Sequence, residues 1–250
     1  MKTVLITGCS SGFGFEAAKY FLERNWNVIA TMRNPQEGIL PRHENLRLLA
    51  LDVTDEESIR RAIADAGPID ALVNNAGIGL LNALEGVTLE RIREVFETNT
   101  IGTIAMTQAV IPQFRERKSG VIVNVTSTVT LKPLPLLAVY TASKTAVNAF
   151  TESVALELEP FGIRMRIVLP GLAPSTKFAE NAFVKMLPVP EAYQPTFEVI
   201  RSGLSGAGMP VTHARDVAEA IWLAVNEPTS PMKIPAGADA VLLAKEVGII

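Results

Sequence analysis

The join between the first apolar run and the first helical pattern constrains this chain more than any other stretch. Thr3-Val4-Leu5-Ile6 is a short β-branched and leucine run, Gly8-Cys9-Ser10-Ser11-Gly12-Phe13-Gly14 follows it, and Phe15 to Leu22 is amphipathic at helical period. The order is strand, glycine loop, helix. Glycines at such a junction let the backbone turn sharply, approach a pyrophosphate closely and pack a helix against a sheet. The helix N-terminus adds N–H groups and positive dipole for the anion. A bare strand-to-helix turn also needs glycine for its dihedrals. Three glycines where strand becomes helix favour phosphate binding along Gly8, Ser10, Ser11, Gly12, Phe13 and Gly14. The spacing is Gly-x-x-x-Gly-x-Gly, distinct from the Gly-x-Gly-x-x-Gly of the general dinucleotide fingerprint.

Further strands repeat the theme. Asn27 to Met32 reads as a second strand, and in a dinucleotide fold its end faces the adenosine ribose, where an acidic residue would bind the 2′-hydroxyl and repel a 2′-phosphate. Here Met32 is followed by Arg33, whose flat, forked guanidinium suits a 2′-phosphate, so the chain favours NADP over NAD. Residues 34–45, with Pro35, Gly38 and Pro41, read as loop. Leu46 to Leu51 is a third strand. Asp52 and Val53 lie at its carboxyl end, the edge where ligands gather, and Thr54 or Asp55 can cap a helix through Ala64. Ile69 to Val73 is a fourth strand, followed by Asn74-Asn75-Ala76-Gly77, whose asparagines either shape the turn or tie the sheet ends together. Thr88 can cap a helix to about Glu97. Asn99 interrupts the helical pattern, and Pro112 is expected to kink or shorten the helix between Thr100 and Phe114.

Composition excludes several functions. With 250 residues, 48% of them hydrophobic, and a net charge of −3, the chain suits a compact globule of one α/β domain or two small ones; a disordered tail or a nucleic-acid binder is not expected. Cys9 is the sole cysteine, which precludes an intrachain disulfide, and His43 and His213 lack ligand-spaced partners, so no metal is expected. The N-terminus enters its first strand without a signal peptide and no apolar run reaches membrane-spanning length, which predicts a cytoplasmic protein with no membrane span.

Gly120 to Ser127 reads as a fifth strand that delivers Ser127 to the carboxyl edge, and a loop through Pro133 and Pro135 leads back to a long helix holding Tyr140 and Lys144. The i, i+4 spacing puts a phenol and an ammonium one turn apart on one face, where the positive charge is expected to lower the tyrosine pKa and fit its hydroxyl for proton transfer. Gly162 to Leu169 is a sixth strand ending at Pro170-Gly171, and Met232 to Ile234 a final one.

Thr7-Gly8-x-x-x-Gly12-x-Gly14, Asn74-Asn75-Ala76-Gly77, Asn99, Ser127, Tyr140-x-x-x-Lys144 and Pro170-Gly171 follow the order and approximate spacing of a known family. From residue 3 to about 225 the chain resembles the classical short-chain dehydrogenases/reductases. The resemblance implies a single Rossmann-type domain over residues 1–250, a three-layer α/β fold with a doubly wound, seven-stranded parallel sheet. It implies a catalytic set of Asn99, Ser127, Tyr140 and Lys144. Tyr140 would protonate a carbonyl oxygen while the nicotinamide delivers hydride to carbon, and Ser127 would hydrogen-bond that oxygen. Lys144 would hold the nicotinamide ribose, and Asn99 would act through its main chain and a water linking Lys144 to solvent. Cofactor contacts are implied at Asp52, Val53, Asn75, Ala76, Gly77, Pro170, Gly171 and Ser175. The family usually has threonine where Ser175 aligns, and Thr176 is the other candidate hydroxyl.

Residues 172–209 show no clean strand pattern and hold Phe178, Phe183, Met186, Leu187, Val189, Tyr193 and Phe197 among several prolines. They read as one or two short helices, either a lid over an apolar pocket or packing against a second subunit. The lid reading predicts a bulky hydrophobic ketone or secondary alcohol as substrate. Pro235-Ala236-Gly237-Ala238-Asp239-Ala240 stands where many members of the family have Asp-Gly-Gly, and resembles the steroid- and retinol-dehydrogenase-like branch. A homodimer or homotetramer is implied. The expected activity is that of an NADP-dependent carbonyl reductase (ketoreductase) or alcohol dehydrogenase. Two alternatives share the fold: a sugar-nucleotide epimerase or dehydratase, for which the short C-terminal region has little room, and a catalytically idle NADP sensor or scaffold, against which the intact Ser127, Tyr140 and Lys144 argue.

Overall fold

The short apolar runs are long enough for strands and too short for independent helices, and most are apolar on both faces, as a covered parallel sheet requires. A computed structural model describes residues 1–36, 38–176, 188–204 and 208–250. It contains β1 (Thr3–Ile6), β2 (Asn27–Met32), β3 (Leu46–Ala50), β4 (Ala71–Asn74), β5 (Gly120–Val125), β6 (Ile163–Pro170) and β7 (Lys233–Ala236), all parallel, in one sheet ordered β3-β2-β1-β4-β5-β6-β7. The helices described are α1 (Gly12–Leu22), α2 (Glu56–Ala66), α3 (Leu89–Phe96), α4 (Gly102–Arg117), α5 (Ala138–Leu158), α6 (Gln194–Leu204), α7 (Ala214–Asn226) and α8 (Ala238–Glu246). Chain direction across the sheet reverses between β1 and β4, so their carboxyl ends part and open a crevice.

Alternation along each strand divides the interior into two layers. Val4 and Ile6 point with Val28 and Ala30 toward α1 and α7, where Phe21, Trp26 and Ile221 close the core. Phe21 meets Trp26 edge to face at 5.2 Å. Leu5, Leu72 and Ile122 point the other way, onto Ile59 of α2, Met106 and Phe114 of α4 and Leu158 of α5. Every residue of β4 and β5 is buried, whereas β3, at the sheet edge, is only partly covered. Among the described residues no helix is long and apolar enough to cross a membrane.

Local signals set most boundaries. Asp55, not Thr54, caps α2, accepting from the N–H groups of Glu57 (2.8 Å) and Ser58 (3.3 Å); Thr88 caps α3 through the Arg91 N–H. Asn99 does interrupt the α-helical register, but without breaking the helix: a π turn over Glu97–Ile101 winds α3 into α4, taking up the extra residue that breaks the periodicity. Pro112 does not end α4, which continues to Arg117 and stops where Lys118 adopts a left-handed conformation. The turns beyond the proline are held by tertiary contacts: Phe114 is fully buried, the Gln113 side chain accepts from Ile69 N–H at 3.1 Å, and Arg117 donates to the Ile69 carbonyl.

The asparagines at the strand ends do tie the sheet together. Asn74 Nδ2 donates to Asn124 Oδ1 (2.9 Å) and Thr107 Oγ1 (3.2 Å), and Asn124 Nδ2 donates to Thr151 Oγ1 (2.8 Å). One buried polar chain thus joins β4, β5, α4 and α5 just beneath the crevice. Asn124→Leu strands the partners of a buried amide and is expected to lower the unfolding free energy by about 1–3 kcal/mol, read as a lower urea midpoint at unchanged slope.

Candidate active site

Thr7 and Asn75 build the crevice floor. The Thr7 hydroxyl accepts from the N–H groups of Asn75 and Ala76, each at 2.9 Å, and Asn75 Nδ2 donates to the carbonyls of Thr7 (2.8 Å) and Gly8 (3.2 Å). The end of β1 is thereby fastened to the end of β4. Above this join Gly8 takes φ +76°, and a Cβ at Gly14 would collide with the Gly8 carbonyl and the Asn75 amide, so the helix can enter here only on glycine. Ser11 N-caps α1 in an extended conformation without a side-chain cap, so no N-cap side chain takes up the first-turn N–H groups of α1, whose Gly12 and Phe13 line the crevice. Cys9 is buried beneath, its thiol pushed up to about 12 by burial, and offers no thiolate.

The crevice has a volume of about 1050 Å³ and extends from this turn to Ser127 and Tyr140. Ser10, Ser11 and Arg33 line one end; Arg33 is exposed and has no ion-pair partner among the described residues. Asp52 and Val53 lie beside it, with Asp52 Oδ1 held by the N–H (3.0 Å) and hydroxyl (2.8 Å) of Thr54. Asn75, Ala76 and Gly77 form the middle, and Pro170 and Gly171 the wall opposite. Side-chain-free turns, uncapped N–H groups and a free guanidinium at one end suit a long dianionic dinucleotide.

Ser127, Tyr140 and Lys144 converge at the other end. Ser127 follows the last residue of β5 by two positions and stays extended at φ −172°; Tyr140 occupies the first turn of α5, with Lys144 one turn on. The Ser127 side chain hydrogen-bonds the Tyr140 hydroxyl, and Lys144 Nζ donates to the Val125 carbonyl at 3.0 Å. Tyr140 and Lys144 are only 7% and 5% exposed, and that burial reverses the expected electrostatics. Desolvation raises the Tyr140 hydroxyl to about 12, with the Ser127 hydrogen bond pulling the other way, and desolvation lowers Lys144 to about 8. The ammonium does not dominate the phenol as the spacing alone suggested, because each charged form loses water before it gains a partner.

Asn99 is brought to this cluster but does not line the crevice. It is 1% exposed behind Gly77 and Ile78, accepting from Ile78 N–H at 2.8 Å and donating to the Ile78 carbonyl (2.9 Å) and to Ser143 Oγ (3.0 Å). Ser143 Oγ in turn donates to the Tyr140 carbonyl at 2.7 Å. Ser175 is exposed and outside the crevice. Thr176 is the buried hydroxyl that lines it, near Gly12, because the turn at 174–176 rotates Ser175 outward. Thr126 and Asp239 also line the crevice. Sequence pattern gave no signal for Thr126; for Asp239 the only cue was Gly237, which takes φ +104° and folds the C-terminal turn back onto the site.

Leu80, Leu81, Val129, Leu134, Leu137 and Leu172 supply the apolar wall beside Tyr140. Outside it, Phe197, Tyr193 and Ile200 of the 188–204 segment pack on Leu81, Ala83 and Leu136. Phe178, Phe183, Met186 and Leu187 lie outside the described residues. Among the described residues no group of three His, Cys, Asp or Glu side chains could hold a metal ion.

Comparison with known proteins gives a consistent picture. The family model described as short chain dehydrogenase matches residues 2–186. An uncharacterized oxidoreductase of Bacillus subtilis, YusZ, is 36% identical over 94% of this chain and 89% of its own length. A 3-ketodihydrosphingosine reductase of Bacteroides thetaiotaomicron is 38% identical over 74% of this chain and 69% of its own. Retinol dehydrogenase 8 of Bos taurus is 38% identical over 68% of this chain and 58% of its own. Among solved structures, a short-chain dehydrogenase from Streptomyces avermitilis superposes with a TM-score of 0.85 at 31% identity, covering 98% of this chain and 91% of that one. A closed serine dehydrogenase complexed with NADP⁺ gives 0.81 at 26% identity, covering 95% of each chain. A 3-ketoacyl-(acyl-carrier-protein) reductase from Brucella melitensis complexed with NADH gives 0.78 at 27%, covering 96% and 98%.

The buried lysine generates a prediction about stability. Its folded pKa, about 8, lies below the ordinary 10.5, so the unfolded chain binds more protons between these values and stability rises with pH across that window. Lys144→Met is expected to stabilise the protein at pH 7 by about 1–3 kcal/mol and to lose that advantage by pH 10, as calorimetry at the two pH values would read.

Proposed function

We propose, for a chain that belongs to the short-chain dehydrogenase family of oxidoreductases, reversible hydride transfer between NADP(H) and a hydrophobic ketone or secondary alcohol. The observation that supports it most is a buried Tyr140 hydroxyl, hydrogen-bonded by Ser127, facing a crevice whose far end suits a dinucleotide. When bound, the dinucleotide supplies or accepts the hydride at its nicotinamide; the residues of this chain do the rest. With its pKa near 12, Tyr140 is a phenol at neutral pH and has a proton to give. In reduction, the O–H bond of Tyr140 breaks toward the substrate oxygen as negative charge develops there, and Ser127 meets the same oxygen with a donor fixed beforehand. Lys144, charged below about pH 8, stabilises the tyrosinate left behind and orients the ribose. Asn99 is a positioning residue: it fixes Ile78 and, through Ser143, the first turn of α5.

Solved relatives hold either nicotinamide dinucleotide, so the preference is read from this chain. Arg33 follows directly on β2, and no carboxylate stands there to repel a 2′-phosphate. The substrate class is supported by the leucine and valine wall beside Tyr140, and by similarity to proteins named for a 3-ketodihydrosphingosine and for retinol. The same reading takes residues 1–250 as one domain, with 172–209 as a lid, acting in the cytoplasm as a homodimer or homotetramer.

Tyr140→Phe is expected to keep NADPH affinity while losing about 10²–10⁴-fold in kcat; following NADPH absorbance with a panel of lipophilic ketones tests this, and retained turnover would remove Tyr140 from proton transfer. Arg33→Ala should weaken NADPH about tenfold or more while sparing NADH, and equal losses in a paired titration would refute the phosphate contact. Ketone reduction should fall as pH rises through about 8, where Lys144 loses its charge; a rate that holds flat to pH 10 would contradict that role.

A further inference from the structure

We propose that Asp239 is a positioning residue that locks the Pro170-Gly171-Leu172 turn against the reactive end of the dinucleotide, an inference that rests on the crevice being a dinucleotide site. One carboxylate oxygen of Asp239 accepts from the Leu172 N–H at 2.6 Å, and the other accepts from the Thr212 hydroxyl at 2.7 Å. That hydroxyl accepts from the Gly171 N–H at 2.9 Å, and the Thr212 N–H donates to the Leu172 carbonyl at 2.7 Å. Both amides of the turn are therefore committed, and the turn cannot rotate without breaking a charge-assisted hydrogen bond.

The surrounding backbone is shaped to this clasp. A Cβ at Gly171 would collide with the Asp239 carboxylate, and a Cβ at Gly237 with the Thr212 side chain; Gly237 also takes φ +104°, which only glycine adopts without strain. Thr212 is fully buried, and the negative charge of Asp239 sits in the first turn of α8, where the helix dipole favours it. Asp239, Pro170, Gly171, Leu172 and Thr176 line the crevice side by side. Leu172 lies just beyond β6 and Thr212 just before α7, so their pairing also fixes the stem of the segment whose α6 covers Leu81 and Leu136. Asp239 thus reaches bound dinucleotide and substrate through the turn it holds.

The test compares the full-length wild type with Asp239→Ala, Asp239→Asn, Thr212→Val and Thr212→Ser. Each is titrated with NADPH by cofactor fluorescence and assayed for kcat, at a temperature well below the lowest thermal midpoint in the set. Asp239→Ala and Thr212→Val are expected to raise the NADPH Kd about tenfold and to lower kcat by a similar factor. Thr212→Ser should recover most of what Thr212→Val loses, and Asp239→Asn, which keeps an acceptor for Leu172, should fall between wild type and Asp239→Ala. A merely structural role would lower the thermal midpoint and leave Kd and kcat of the folded protein alone. Values within about twofold of wild type for Asp239→Ala, or for Asp239→Asn should the alanine variant not fold, overturn the proposal. Failure of the wild type to bind NADPH overturns the dinucleotide reading and this proposal with it, whereas wild-type binding with unaffected variants overturns only the role of Asp239.

Discussion

The fastening of β1 to β4 by Thr7 and Asn75 is the constraint on which the site depends. These strands part at their carboxyl ends, and a crevice that opens there would have no fixed width if the two ends moved independently. One hydroxyl and one carboxamide, with four hydrogen bonds, set that width. From this join a chain of contacts runs outward: Gly14 against Asn75, Gly77 between Asn99 and Lys144, Asn99 to Ser143, Ser143 to the Tyr140 carbonyl. The glycine turn and the tyrosine lie far apart in sequence, yet each link in the chain joining them is a direct contact between packed groups.

Burial then decides the protonation states at the tyrosine end. A buried phenol resists ionisation and a buried ammonium resists protonation, so the resting pair is a neutral Tyr140 beside a lysine that titrates near pH 8. That pair costs folding stability, since Lys144 gives up hydration for a hydrogen bond to the Val125 carbonyl. The polar chain of Asn74, Asn124, Thr107 and Thr151 lies just below and has its donors satisfied within the protein. A rigid polar layer beneath a poorly solvated acid–base pair holds the pair in place without hydrating it.

Much of this was legible in the sequence, for physical reasons that also mark where legibility ends. The strands were readable because each is a short, largely apolar run closed by polar or turn-forming residues, whereas the seven-stranded parallel sheet came with the family resemblance and its strand order was not read from the residues. Ser127, Tyr140 and Lys144 were readable because i, i+4 spacing and a strand end are local geometry. The features misread depend on a single local turn or on groups distant in sequence. Asn99 marked a change of periodicity, but a π turn has no signature of its own to say that the helix runs on through it; Pro112 suggested a shortened helix because Ile69 and its partners on α4 were not visible; Ser175 was preferred to Thr176 because a single turn decides which hydroxyl faces inward. The sign of the Tyr140 shift was missed because desolvation depends on everything packed around the ring, not on the residue four positions away.

The hydrogen bond between Leu172 and Thr212 brings the two ends of the intervening excursion together at the edge of the sheet. Anything inserted between them is grafted onto a closed stem, so its length and composition can change with little strain passed to β6 or α7. Among the described residues the excursion reaches the crevice only near its start, through Leu172, Ala173 and Thr176, so the bulk of it could be exchanged while Ser127, Tyr140 and Lys144 stay where β5 and α5 hold them.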